Sequence, residues 1–303
     1  MNKLVLICFV LFISLTFLTC GDSLEQKGDP EYIGEINAWH AKRIDNLKKE
    51  NGWLNLIGLL WLKEGENTFG ASEENDIVFP KGKCPPDMGK FILNDSSVTV
   101  VINPNVNVTS ENQKINEQIL VHDLQGKPTV LEFGSLRWFV IKRGEKYGIR
   151  LRDIEADLVK NFEGIERFPV NSNWSIEATF EKYDPPKTIA VPNVLGTIDE
   201  EKSPGALVFK KDGKEYKLDA LEGNNSYFII FADETSGNET YGGGRFVYVP
   251  REDSTGKIFI DFNKAYNPPC VFTKYATCPL PPKQNHLRMR VLAGEKNFGH
   301  AVH

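Results

Sequence analysis

Sulfur and histidine are scarce in this chain: five cysteines, three methionines and five histidines among 303 residues. Their distribution excludes several chemistries at once. There is no Cys-x-x-Cys half-site and no His-Glu-x-x-His, so the standard zinc signatures are missing. No Gly-x-Ser-x-Gly occurs either, because Phe133–Gly134–Ser135–Leu136–Arg137 lacks the second glycine of a nucleophile elbow. There is no lysine-arginine tract, and the net charge is −5, which argues against nucleic acid or an acidic membrane surface as a partner. No cofactor motif is found and none is expected. The triple glycine 242–244 is followed by neither a Lys-Ser pair nor a helix, so it does not read as a phosphate loop. Fixed-period repeats and low-complexity tracts are also missing.

The one long apolar run, Leu4 to Leu18, is 15 residues, short of the roughly 20 that span a bilayer as a helix. With Lys3 before it, the run reads as a secretory signal. It ends Phe17–Leu18–Thr19–Cys20–Gly21, which resembles a bacterial lipoprotein cleavage site with Cys20 as the lipidated residue. The expectation is an exported, membrane-anchored protein facing the periplasm or the cell surface, with plain secretion as the alternative. Cys84, Cys270 and Cys278 would then lie in an oxidising compartment.

What is plentiful is short, apolar and aromatic, and 41% of residues are hydrophobic. Asp29–Pro30–Glu31 is a helix start, and Ile33, Ile36, His40, Ile44 and Leu47 follow at helical spacing. From Trp53 the period shifts to strands. Short alternating runs are separated by turn signals such as Asn94–Asp95, Arg143–Gly144 and Lys211–Asp212–Gly213–Lys214. A second series starts at Trp174 and ends in LRMRVLAG. The predicted organisation is mainly β. After the signal (1–20) and a tether (21–28) comes an N-terminal helix plus β-sandwich (29–152). A connection (153–173) then leads to a second β-sandwich or barrel-like domain with a Cys/Pro-rich loop (174–303).

Two resemblances follow from particular motifs. GENTFG (65–70), NDIVFP (75–80), NEQIL and LEFG, then a strand ending in Arg143–Gly144, resemble the frame of a forkhead-associated (FHA) domain. That resemblance implies a sandwich fold. It does not imply phosphothreonine binding, because Ala71 stands where an arginine is expected, and the stretch 85–89 (PPDMG) lacks the family's serine and histidine. More of the chain, through GWLNLIGLLWLKEG, YGIRLRD, FADETSGNETYGGGRF and DFNKAYNPPCVFTKYATCPLPPKQNHL…AGEK, with Trp39 and Arg43, resembles a bacterial and archaeal family. That family is known only as a domain of unknown function, number 1684 in its series. It implies no activity. His286 departs from its common Asn-Arg-Leu, so chemistry resting on His286 would not be a family property.

Cys270 and Cys278, boxed by prolines, leave several uses open. Seven intervening residues are too many for a zinc half-site. A thiol nucleophile would need His286 as its base and a reducing compartment. Two buried thiols remain an alternative, and a disulfide closing a small loop is favoured. The candidate pocket is drawn from the polar residues near this loop: Asp233, Tyr241, Arg245, Asp261, Asn263, Tyr266, Asn267 and Glu295. Converging at one end of the second domain, they would bind a small polar ligand or an envelope partner. The alternative is an enzyme, such as a hydrolase, using Asp233, Arg245, Asp261 and Tyr266. The opposing structural reading is that Asp and Asn cap turns and the arginine satisfies a strand end.

Overall fold

The computed structural model of the protein describes residues 24–299. Cys20, the signal run and the first three residues of the tether (21–23) lie outside the described residues. Asp29 caps α1 (Pro30–Lys48), its carboxylate accepting from the Tyr32 N–H at 2.8 Å, with Pro30 where its missing N–H costs nothing.

Eleven strands follow. They are β1 (Leu56–Trp61), β2 (Gly65–Gly70), β3 (Ile77–Val78), β4 (Gly89–Asn94), β5 (Ser97–Ile102), β6 (Thr109–Ser110), β7 (Gln113–Lys114), β8 (Glu117–Leu120), β9 (Leu131–Phe133), β10 (Leu136–Arg143) and β11 (Lys146–Asp153). They form two sheets, ordered β1-β11-β10-β9-β6-β7 and β3-β2-β4-β5-β8. Between them lies one core built around Phe69, Phe91, Val100, Trp138 and Ile149. Phe69 packs on Phe91 with ring centroids 4.4 Å apart, and Phe79 meets Trp138 edge-on at 5.3 Å. Burying each such side chain is worth roughly 1.5–3 kcal/mol. On β11, Tyr147, Ile149 and Leu151 face this core, so Arg150 and Arg152 point to the opposite face by strand alternation. Both arginines are nevertheless buried. Something else covers that face.

After α2 (Asp157–Lys160) the chain forms β12 (Ser175–Pro192), β13 (Ile198–Lys211), β14 (Lys214–Gly223), β15 (Ser226–Phe231), β16 (Arg245–Pro250) and β17 (Ile258–Asp261). These make one antiparallel sheet, β16-β15-β14-β13-β12-β17, that curls to a nearly closed, barrel-like form around Leu207, Phe209, Val247, Ile260 and Phe262. The hairpin turn at Asp212–Gly213 has φ of 51° and 75°, the two positive values of a type I′ turn.

Three features differ from the sequence expectation. WSIEATF and KTIAVPNV are one long strand, β12, whose pairing shifts between Lys182 and Lys187. LRMRVLAG is not a strand. Its Val291 and Ala293 carbonyls accept hydrogen bonds from the Arg245 guanidinium, so a side chain satisfies the backbone groups a neighbouring strand would have used. Third, sequence order groups α1 with the first sandwich, but its side chains bond the C-terminal half. Tyr32 donates to Asp261 at 3.0 Å, Lys264 pairs with Glu35 at 2.7 Å, and Arg43 reaches Glu295.

A third apolar cluster joins the halves, combining Leu47, Leu54, Phe162, Ile189, Ile230, Phe246 and Phe272. Cys270 and Cys278 are disulfide-bonded, and their loop takes part in this join. Thr273 donates to the Leu56 carbonyl at 3.0 Å, and the Thr277 hydroxyl accepts from Arg143 at 3.0 Å. The loop therefore latches onto the first sandwich, covering part of the face that carries Arg150.

Candidate functional site: an aromatic recess beneath the N-terminal helix

The eight candidate residues do not surround one open polar cavity. Arg245 and Asp233 form a sealed ion pair, Nη2 to Oδ2 at 2.7 Å, with neither side chain exposed. Nη1 and Nη2 also clamp the C-terminal segment through the carbonyls of Val291, Ala293 and Glu295, while the buried Nε has no hydrogen-bond partner. Asp233 also accepts from the Thr235 N–H and hydroxyl at 2.8 and 2.6 Å. Nearly every polar group here is spent within the protein. Gly244, at φ 81°, permits this closeness, since a Cβ there would lie 2.5 Å from the Phe231 carbonyl oxygen and against Pro281.

Asp261 and Asn263 form a second, separate network that pins α1. Asn263 donates to the Tyr32 hydroxyl and the Asn171 carbonyl, both at 2.9 Å, and its Oδ1 accepts from the Asn171 N–H. Tyr241 is buried in the cluster between the halves.

The remaining three candidates do come together. Glu295 is fully buried and accepts from Arg43 Nε at 2.6 Å and from the Asn267 N–H at 2.7 Å. Gly294, at φ 77°, makes the turn, where a Cβ would sit 2.4 Å from the Ala265 carbonyl oxygen. Arg43 Nη2 also donates to the Asn267 carbonyl at 2.9 Å, and the guanidinium carbon lies 4.4 Å from the Tyr266 ring centre. Glu295 thus fixes Arg43, and Arg43 holds α1 over Tyr266.

Beneath that contact opens a recess of about 460 Å³ between α1 and the outer face of the barrel-like sheet. Its floor carries Phe228, Phe246, Tyr248 and Tyr266, and its roof Trp39, Lys42 and Arg43; Trp53 and Phe272 close the sides. The floor follows from strand register. Phe228 and Tyr248 are direct partners across β15 and β16, and their rings stack at 4.8 Å. Tyr248 stacks on Tyr266 at 6.2 Å and an interplanar angle of 17°, and Trp39 lies 6.5 Å from Tyr266. Tyr248 is half exposed.

Among the described residues no Asp or Glu lines this recess, while Lys42 stands at its edge without an ion pair. Burial pushes the Tyr266 hydroxyl well above its ordinary pKa, with Tyr248 adding to the rise and Arg43 opposing it. Tyr266 is therefore a neutral phenol, suited to stacking and hydrogen bonding and not to proton abstraction. His286 is exposed, and Cys270 and Cys278 are bonded to each other, so the described structure holds no Cys–His nucleophile pair. Among the described residues, no group of three or more His, Cys, Asp or Glu is placed to hold a metal ion.

Residues 160–296 match the family model described as a protein of unknown function, DUF1684. The DUF1684 match covers the later part of the connection, the sheet and the Cys/Pro loop, so it includes the floor of the recess but not the α1 roof. No curated protein matches the chain. The solution NMR structure of an uncharacterised Haloarcula marismortui protein is 29% identical, covering 45% of this chain and 78% of its own, with a TM-score of 0.38. The FhaA FHA domain, crystallised with the intracellular domain of Rv3910, is 15% identical over 31% of this chain and 97% of its own, with a TM-score of 0.23. Overlaps this loose carry no inference about the site. The family model bears out the DUF1684 resemblance over residues 160–296.

Lys42, Trp53, Phe228 and Tyr248 are the residues that sequence reasoning missed. The signal was partial: Trp39, Lys42 and Arg43 share a helix face at i, i+3 and i+4, and Phe246 and Tyr248 share a strand face. Periodicity identifies such faces but cannot say that two of them meet across a gap.

Proposed function

We propose that the protein is a non-catalytic, exported and lipid-anchored envelope protein that binds a small ring-bearing ligand with a negative charge. The ligand sits in the recess between α1 and the DUF1684 sheet. The single observation carrying this reading is the composition of that recess: four rings on the floor, Trp39 and Lys42 above, and no carboxylate on its walls. Flat rings stack on aromatic faces, and an unpaired ammonium at the mouth favours an anionic group. Acid-base chemistry by Asp233, Arg245, Asp261 and Tyr266 would need a shared cavity. The first two are sealed from solvent, and Asp261 is bonded to Tyr32 and Asn263, so the geometry favours binding. The loop 85–89 also fits poorly with phosphothreonine recognition. Its Pro85 and Pro86 carbonyls accept from the Ala71 and Ser72 N–H groups, which occupies those donors.

The test is a thermal-shift and tryptophan-fluorescence screen of the mature chain against acidic oligosaccharides, nucleotides and aromatic acids. A genuine hit loses affinity in both Tyr248→Ala and Lys42→Ala. A hit indifferent to both changes, or no hit in any panel, rejects the reading. The anchor is tested separately by labelled palmitate, which should enter the wild type and not Cys20→Ser.

A further inference from the structure

The first sandwich carries a second recess, of about 560 Å³, on the outer face of the sheet holding β10 and β11. On its wall Arg137 and Arg152 stand directly opposite each other in the β10–β11 pairing. Like charges in that position repel, and burial sharpens the repulsion. Arg152 is only 6% exposed, and no carboxylate pairs with it. Its hydrogen-bond partners are neutral: the Gly52 carbonyl and Asn55 Oδ1, the latter at 2.8 Å. Burial lowers its pKa to about 10.

Arg137 is ion-paired with two carboxylates of the same recess but hydrogen-bonded to neither. Glu132 lies 3.5 Å from its Nε and Glu50 3.7 Å from its Nη2, while its hydrogen bonds go to the Gly134 and Leu136 carbonyls. Its Nε–H is buried and has no hydrogen-bond partner. Gln118 Oε1, on the same recess, is also buried without one. Buried polar groups are normally hydrogen-bonded, and two without a partner on one cavity wall are suited to a ligand that supplies an acceptor to one and a donor to the other. The lining also carries Glu50, Glu132 and the Lys127–Glu111 ion pair (2.8 Å), together with the Ser110 and Thr129 hydroxyls and the Phe139 ring.

We propose that this recess binds a small molecule through its carboxylate or phosphate group, held between Arg137 and Arg152, with a neighbouring donor of that molecule reaching Gln118. Neither Ala71 nor the stretch 85–89 lines the recess, so it is separate from the position where an FHA frame would hold phosphate. It is also separate from the aromatic recess, with which it shares no lining residue.

The experiment is thermal unfolding of the mature chain in chloride at fixed ionic strength, with inorganic phosphate, acetate or glycine replacing part of the chloride. A rise in Tm above chloride with phosphate alone assigns a phosphate ligand. A rise with acetate or glycine assigns a carboxylate, and glycine exceeding acetate supports the donor contact to Gln118. Arg137→Lys keeps the charge but loses the planar fork, and should weaken the response about tenfold. Gln118→Leu should abolish the advantage of glycine over acetate while leaving the Tm in chloride unchanged or higher. No response to any probe overturns the proposal, as does a response unaltered in both variants.

Discussion

Arg43 and Glu295, 252 residues apart, meet as a two-pronged ion pair, Nε–Oε1 at 2.6 Å and Nη2–Oε2 at 3.3 Å. That pair closes the protein from its first helix to its last described turn. It also sets the height of the aromatic recess, because the same guanidinium rests on Tyr266.

Glu295 is fully buried, so removing Arg43 leaves its carboxylate without an ion-pair partner, held only by the Asn267 N–H. Arg43→Met should therefore cost about 3–5 kcal/mol of stability, more than Glu295→Gln, which removes the charge and keeps an acceptor. Urea-unfolding midpoints of the two variants check the order. Equal and small losses would mean that α1 is held by apolar packing alone.

The sealed Asp233–Arg245 pair predicts a large effect without any change at a ligand site. Asp233→Asn should destabilise by about 3–5 kcal/mol. It should also speed amide exchange at Val291, whose N–H donates to Asp233 at 3.3 Å. Ligand affinity per folded molecule should be unchanged. A specific loss of binding in a stable variant would return Asp233 to the site.

His40 gives a pH dependence. Burial, then the charges of Arg167 and Arg43, lower its pKa to about 4, and its Nε2 is buried without a partner. As pH falls below about 6.5 the unfolded chain binds this proton first. The contribution of His40 is therefore complete above that value, declines toward about pH 4, and is constant below it. Partial exposure screens the effect and makes it modest. Comparing urea midpoints at about pH 7 and about pH 5, the loss on acidification should be smaller in His40→Gln than in the wild type.

The Cys270–Cys278 loop joins the halves through Thr273 and Thr277. Reduction, or a double change to serine, should cost roughly 2–3 kcal/mol by loop-closure entropy. It should also raise amide exchange in β1 and at the loop. A thiol count on the purified protein that finds both cysteines free would remove this contribution.

Tyr248 is half exposed and packs mainly on other recess rings, so Tyr248→Ala should change stability by less than about 1 kcal/mol while abolishing most stacking affinity. A fall in both would mark it as packing.

Much of the fold was legible in local pattern. Asp29 and Pro30 start the helix because their effects act within one turn, and Asp212–Gly213 makes its hairpin through its own backbone preferences. Alternation on β4, β5 and β10 marks the buried face residue by residue. LRMRVLAG also alternates, yet it is no strand: after two backbone bonds to residues 232–234, its Val291 and Ala293 carbonyls are taken by the Arg245 side chain. The candidate list shared that weakness. Asp233, Arg245, Asp261 and Asn263 have functional chemistry but are consumed by internal bonds, which no spacing records.

The sequence by itself determined the helix start, the strands, the turns and the polar groups that needed burial with partners, since each depends on neighbours within a few residues. Only the tertiary structure decided that α1 crosses to the far half of the chain and stops short of the sheet, leaving a gap lined with rings. The physical reason is distance: Arg43, Tyr266 and Glu295 acquire their meaning from ångström-scale contacts between segments whose separation along the chain carries no signal.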